Sequence, residues 1–98
     1  MTSITKIKND IVNKNINKAV YSLHKILLAN PNDIEANFLL AVAYEKNNDY
    51  KKSINQYKLT NKLKRGSLIY SRIGNLYIKI NEYALASINF KKALVLNN

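Results

Sequence analysis

The chain predicts an all-α fold, a solenoid of about three antiparallel helical hairpins. Residues 39–60 and 72–93 are two copies of one pattern, offset by 33 positions. Tyr44/Tyr77, Lys46/Lys79, Asn48/Asn81, Tyr50/Tyr83 and Lys58/Lys91 coincide, while Leu40/Ile73, Ala41/Gly74, Asp49/Glu82, Ser53/Ala86, Tyr57/Phe90 and Thr60/Ala93 match in size and polarity. Within each copy the apolar residues return at helical spacing, Leu40, Ala41 and Tyr44 in one and Ile73, Gly74 and Tyr77 in the other. Gly66, Gly74 and Pro31 are the whole supply of glycine and proline in 98 residues, which leaves helices joined by short turns. A period of this length builds stacked units, and stacked units present surfaces rather than enclosed pockets.

Six helices are expected, near 3–12, 16–29, 33–46, 49–64, 67–79 and 82–96. Ile4, Ile7 and Ile11 space the first, and Asn13–Asn15 is its turn, one residue short of the fit in the later pairs. In the second, Ala19, Leu23 and Ile26 repeat the spacing of Ala86, Phe90 and Ala93. Pro31 stops that helix, because the residue before a proline is pushed out of helical geometry. Asn32 or Asp33 then caps the third, with Glu35 favourable in its positive first turn. Asn47-Asn48-Asp49 breaks the pattern, and Tyr50, Ser53, Ile54, Tyr57 and Thr60 resume it as the fourth helix. Lys62, Lys64 and Arg65 followed by Gly66 read as its C-terminus, and Ser67 as the cap of the fifth. Asn81-Glu82 is the matching turn before the sixth, which carries Tyr83, Ala86, Ile88, Phe90, Ala93 and Leu94. The whole, 1–98, is expected to be one domain: a less regular pair at 3–30, then repeats at 33–66 and 67–98.

Residue size follows the same plan. Ala41, Gly74, Ser53, Ala86 and Ala19 are small where two helices of a hairpin approach. Tyr44, Tyr77, Tyr57 and Phe90 are large and fill the gap to the next hairpin. Layers that alternate small and large residues interdigitate at native density.

Composition bears on function by what it withholds. There is no cysteine, hence no disulfide framework or thiolate metal site, and His24 is the one histidine. It lies between Leu23 and Lys25 and reads as a surface residue. The six acids, Asp10, Asp33, Glu35, Glu45, Asp49 and Glu82, are scattered, and Asp33, Asp49 and Glu82 are explained as helix starts. Acid–base and metal chemistry need several convergent groups. No glycine-rich phosphate loop exists, so no catalytic residue, metal or cofactor is assigned. Residues 1–10 are not a secretory signal, and the longest apolar run, Phe38–Tyr44, is far too short to span a bilayer, so a cytoplasmic protein without a transmembrane segment is expected. The net charge of +10 raises nucleic acid as a partner, but Lys contributes 14 of the 16 cations. Asn, Lys, Ile and Tyr, all with A+T-rich codons, make up half the chain. Phosphate recognition favours the bidentate fork of Arg, so the charge is read as compositional drift.

The second copy closely resembles the tetratricopeptide repeat, an aromatic, Leu-Gly-x2-Tyr, Ala-x3-Phe and Ala, here Tyr70, Ile73-Gly74, Tyr77, Ala86, Phe90 and Ala93. The first copy follows with Leu40-Ala41, Tyr44, Ser53, Tyr57 and Thr60, and departs at Asn37, where the aromatic belongs. The N-terminal pair keeps Ala19, Leu23 and the closing Pro31, whereas Arg65 and Asn98 replace that proline in the later units. The resemblance implies a right-handed superhelix and a non-enzymatic protein–protein interaction module, an adaptor or chaperone-like subunit that binds a peptide or helical segment of a partner.

It also implies where the ligand goes, since the first helix of each hairpin lines the concave binding face. The groove candidates are then Glu35, Phe38, Val42, Glu45 and Lys46 in the first copy, and Leu68, Ser71, Asn75, Ile78 and Lys79 in the second. Phe38, Val42, Leu68 and Ile78 are apolar where a solvated face would be polar, which favours an apolar or amphipathic segment; packing within the solenoid is the competing explanation. Relatives that clamp a C-terminal carboxylate do so with Lys and Asn, of which Asn75 and nearby Lys79 are the only counterparts. The basic residues fall mostly on the second helices, which the resemblance puts on the convex side; a solvated face is the first explanation, and a patch for an acidic protein, a membrane surface or nucleic acid is the alternative. Two or three units would read almost no RNA, so nucleic acid is not the expected partner. A solenoid ends in a polar cap, yet Phe90, Leu94 and Leu96 crowd the last helix, so a homo-oligomer or hetero-complex through that pair is the alternative expectation, a self-assembling structural subunit.

Overall fold

Helices α1 Ser3–Val12, α2 Ile16–Ala29, α3 Ile34–Lys46, α4 Tyr50–Leu63, α5 Ser67–Lys79 and α6 Tyr83–Leu96 follow one another in the computed structural model, which describes residues 3–96. Asn98, at the closing-proline site of the last unit, lies outside the described residues. Among the described residues there is no strand, and no helix is long and apolar enough to cross a membrane. The pairs α1/α2, α3/α4 and α5/α6 are the three hairpins, stacked in a body of 39 × 24 × 20 Å.

The turns show why the hairpins fold as they do. Asn48 and Asn81 occupy the left-handed region at φ 63° and 65°, where Asn is among the best-tolerated side chains. Each is fastened in the same way: the Tyr50 hydroxyl donates to Asn48 Oδ1 at 3.0 Å, and the Tyr83 hydroxyl to Asn81 Oδ1 at 2.8 Å. Two of the coinciding pairs in the sequence are thus one device, a tyrosine holding a strained turn. Asp49 N–H donates to the Tyr44 carbonyl and Glu82 N–H to the Tyr77 carbonyl, at 2.9 and 2.8 Å.

The first hairpin corrects the sequence reading. Its turn is not short: Asn15 N–H donates to the Asp10 carbonyl at 2.7 Å, and Lys14 takes the left-handed position at φ 62°. The displacement lies inside α1, where Asp10 stands at the place of Tyr44 and Tyr77. Asp10 is buried and its Oδ2 has no hydrogen-bond partner among the described residues.

Two caps also differ from expectation. Asp33 caps α3 as foreseen, its Oδ1 accepting from Ala36 N–H at 2.9 Å. Gly66, read as the end of α4, is the N-cap of α5, and Ser67 is the first helical residue rather than the cap. The backbone of Gly66 is extended, φ −153°, so no left-handed C-cap forms; Lys64 ends α4 instead.

Two apolar clusters hold the stack. Ile7, Ile11, Ile16, Ala19 and Leu23 pack with Ala36, Leu39, Leu40 and Ala43, joining the first hairpin to α3. Ala41, Ile54 and Tyr57 pack with Ile69, Ile73, Leu76, Tyr77 and Ala86, joining the second hairpin to the third. Half-buried Val42 touches both. The small residues sit where close approach was expected: Ser53 Oγ donates to the Ala41 carbonyl at 2.7 Å, and the Phe90 ring lies over Gly74. Asn37, the departure from the aromatic, is buried and fully used. Its Nδ2 donates to the Pro31 and Asp33 carbonyls at 3.0 and 2.9 Å, and its Oδ1 accepts from Gln56 Nε2 at 2.6 Å. A hydrogen-bonded amide thereby ties the α2–α3 connection to α3 and α4.

Candidate functional site

Three of the ten groove candidates come together. Glu35 and Phe38, on the first two turns of α3, meet Leu68 at the start of α5 in an open cleft of about 440 Å³. Ile34 and Ile69 complete its apolar lining, Thr60 closes the back from α4, and Lys64 and Arg65 stand at the rim. The cleft forms because the chain leaves α4 in extended geometry from Lys64 to Gly66, which separates the end of α4 from the beginning of α5. Leu68 is 57% exposed and Ile34 43%, so the apolar surface is open to a ligand. The charge at this mouth is mixed: Glu35 is engaged by Lys8 of α1 at 3.4 Å, with both side chains about half exposed.

Other candidates are occupied by the stack. Phe38 contributes its outer edge to the cleft, but its ring meets Tyr57 edge-on at 5.7 Å and carries the Arg72 guanidinium at 5.5 Å. Val42 bridges the two clusters. Glu45 accepts from the Tyr57 hydroxyl at 2.8 Å and pairs with Arg72 Nη1 at 3.5 Å, while the same Nη1 donates to the Tyr57 hydroxyl at 3.3 Å. This Glu45–Tyr57–Arg72 triangle joins α3, α4 and α5. Burial first, and then the hydrogen bond and negative charge of Glu45, push the Tyr57 hydroxyl far above its ordinary range; Arg72 opposes them. The second copy is more open: Ser71 is half-buried, and Asn75, Ile78 and Lys79 are exposed, the Lys79 ammonium resting over the Tyr50 ring at 5.6 Å. Lys46 is exposed.

Arg72 is the residue that sequence reasoning missed. One signal was available: its counterpart 33 positions earlier is Leu39, a buried core residue, so a cation there must find an anion or an aromatic face. Of the self-association candidates, Phe90 is half-buried against Gly74, Leu96 is half-buried, and Leu94 is 78% exposed. His24 is exposed on α2.

The family model of the tetratricopeptide repeat matches residues 34–65 and 68–98, which are the second and third hairpins. The chain belongs to the tetratricopeptide repeat family. Its repeat scaffold is that of a protein–protein interaction module. Solved structures of similar fold include MamA from Desulfovibrio magneticus RS-1, at 21% identity and TM-score 0.87 over 95% of this chain and 53% of that one. MamA of AMB-1 is 25% identical with TM-score 0.82, over 90% of this chain and 53% of that one. A chain of the CopN–Scc3 complex is 17% identical with TM-score 0.88, over 94% and 55%. The tetratricopeptide chain described here thus spans about half the length of these structures. Comparison with curated proteins finds no match.

Proposed function

We propose that this tetratricopeptide protein is a non-enzymatic adaptor or chaperone-like subunit that takes an apolar or amphipathic peptide or helix of a partner into the α3/α5 cleft. The observation that carries the reading is the apolar lining, exposed Ile34 and Leu68 beside half-buried Phe38, where a solvated face would be polar. A groove of this kind recognises spaced apolar anchors. We further propose that the first hairpin is a degenerate unit of the same array, since it shares the left-handed turn residue and the backbone bond across the turn. Leu68 and Ile34 are the residues to change, because both are exposed and neither holds the fold. Captured partners of wild type and of Leu68→Glu/Ile34→Glu are compared by mass spectrometry and titrated. The expected result is loss of a defined partner with affinity reduced by roughly tenfold or more. An unchanged partner set removes the cleft from consideration.

A second reading, self-assembly through the last helix pair, is favoured by one observation. Leu94 is 78% and Val95 88% exposed on α6, adjacent apolar side chains left in water. Sedimentation across a concentration range is expected to show a dimer that Leu94→Glu dissociates. A wild-type mass that stays monomeric at every concentration removes this reading.

A further inference from the structure

Between α4 and α6, meeting the α3/α5 cleft only at Lys64 and Arg65, lies a second concave surface. Two contiguous pockets of about 640 Å³ each share Arg65, Tyr70, Ile88 and Lys92 and together form a trough. Its lining is apolar, with Ile88 48% and Leu85 40% exposed and, at its outer end, Val95 88%. Its rims carry Lys58, Lys62, Lys64, Arg65, Lys91 and Lys92, and no carboxylate lines either part. Among the described residues none of these six cations makes an ion pair. Two of them are poised by aromatic rings, with the Lys58 ammonium over Tyr77 at 5.6 Å and the Lys92 ammonium over Tyr70 at 5.8 Å.

We infer that this trough is a second docking surface, for an acidic amphipathic helix from a partner protein. Charge complementarity decides the sign: six unpaired cations around one concavity repel one another and are relieved by an anionic ligand. The apolar lining decides the rest, because a purely ionic ligand would leave Leu85, Ile88 and Val95 in water. Nucleic acid fits less well. Five of the six cations are lysines rather than arginines, the floor is aliphatic, and its single half-buried tyrosine already lies under Lys92, so there is no free aromatic platform for bases. The walls are two helices, and the stretch of α6 from Leu85 to Leu96 offers about 16 Å of length, enough for a helix of about three turns. Such a ligand places leucines along the floor and glutamates toward both rims.

The test is a titration of the full chain with a fluorescein-labelled synthetic helix of about four turns, leucines on one face and glutamates flanking them. Two controls accompany it: a peptide of equal charge with every leucine replaced by serine, and a poly-dT oligonucleotide of matching charge. The leucine peptide is expected to bind about tenfold more tightly than the serine peptide at low salt, and its affinity to fall with added salt. Lys62→Glu/Lys92→Glu should lower that affinity about tenfold and Ile88→Ser several-fold, with circular dichroism unchanged. Leu68→Glu, in the other cleft, should leave it unaltered, so the two sites are judged separately. The inference is overturned if no probe binds, if the serine peptide binds as well, or if poly-dT binds more tightly. It is equally overturned if Ile88→Ser changes the sedimentation of the protein alone, which would give the trough to a second copy.

Discussion

Tyr57→Ala is expected to lower unfolding free energy by about 3–5 kcal/mol, the usual cost of emptying a large aromatic site in a close-packed core. The ring is fully buried, packs edge-on against Phe38 and sits where the second hairpin meets the third. Tyr57→Phe isolates the hydroxyl. It keeps the ring but leaves Glu45 with Arg72 alone, a pair only 23% and 34% exposed, so about 1–2 kcal/mol is expected. The two variants also separate by pH. In the folded chain the hydroxyl is held in its neutral form by burial and by Glu45, whereas in the unfolded chain it ionises near the ordinary value of 10. Below that pH both states keep the proton and stability is unaffected. Above it the unfolded state releases a proton that the folded state retains, so stability falls as pH rises, by roughly 1 kcal/mol at pH 11. Denaturant melts of wild type and Tyr57→Phe between pH 9 and about 11 check this; parallel profiles for the two proteins would rule out a perturbed Tyr57.

The helices and their turns were legible because their causes are local. Expected and observed starts differ by one residue at 33, 49 and 82, where Asp33, Asp49 and Glu82 belong to the turn rather than to the helix. The Asn48 and Asn81 turns were visible as a break in periodicity, and the left-handed backbone that explains the Asn follows from the structure. What the sequence concealed depends on long side chains meeting across hairpins. Glu45 has the spacing of a groove residue, but Tyr57 and Arg72 both reach it, so packing claims it. Asn37 looked like a defect in the motif, yet its amide satisfies two carbonyls and Gln56, contacts set by a loop path that periodicity does not encode. Gly66 followed a helix-end signal of three cations, and the same signal is compatible with an extended exit that opens the cleft.

Gly74→Leu is expected to cost about 1–3 kcal/mol by overpacking the last hairpin. A Cβ built on Gly74 would lie 2.7 Å from one Phe90 ring atom and 2.9 Å from two more, closer than real Cβ contacts. The obstacle is the outer end of a half-buried side chain rather than backbone, and the ring has to move aside for a Cβ to fit. Gly74→Ala should therefore be near neutral: the shift of Phe90 is offset by the gain of up to about 1 kcal/mol in helix propensity. The second hairpin provides the precedent, since Ala41 holds the same position opposite Tyr57 with a Cβ in place. Leucine is different in kind, because its branched end needs the volume the ring occupies and α5 and α6 must part to admit it. A double-mutant cycle decides whether the ring is the obstacle. In a Phe90→Ala background the cost of Gly74→Leu should shrink by about 1 kcal/mol or more, as expected for residues in direct contact. An equal cost in both backgrounds would place the strain elsewhere in α5. Because Phe90 also closes the outer face of the last hairpin, the same variants report on self-assembly: if Leu94 makes the contact between copies, Gly74→Ala leaves the sedimentation unchanged while Gly74→Leu, by splaying α6, weakens it.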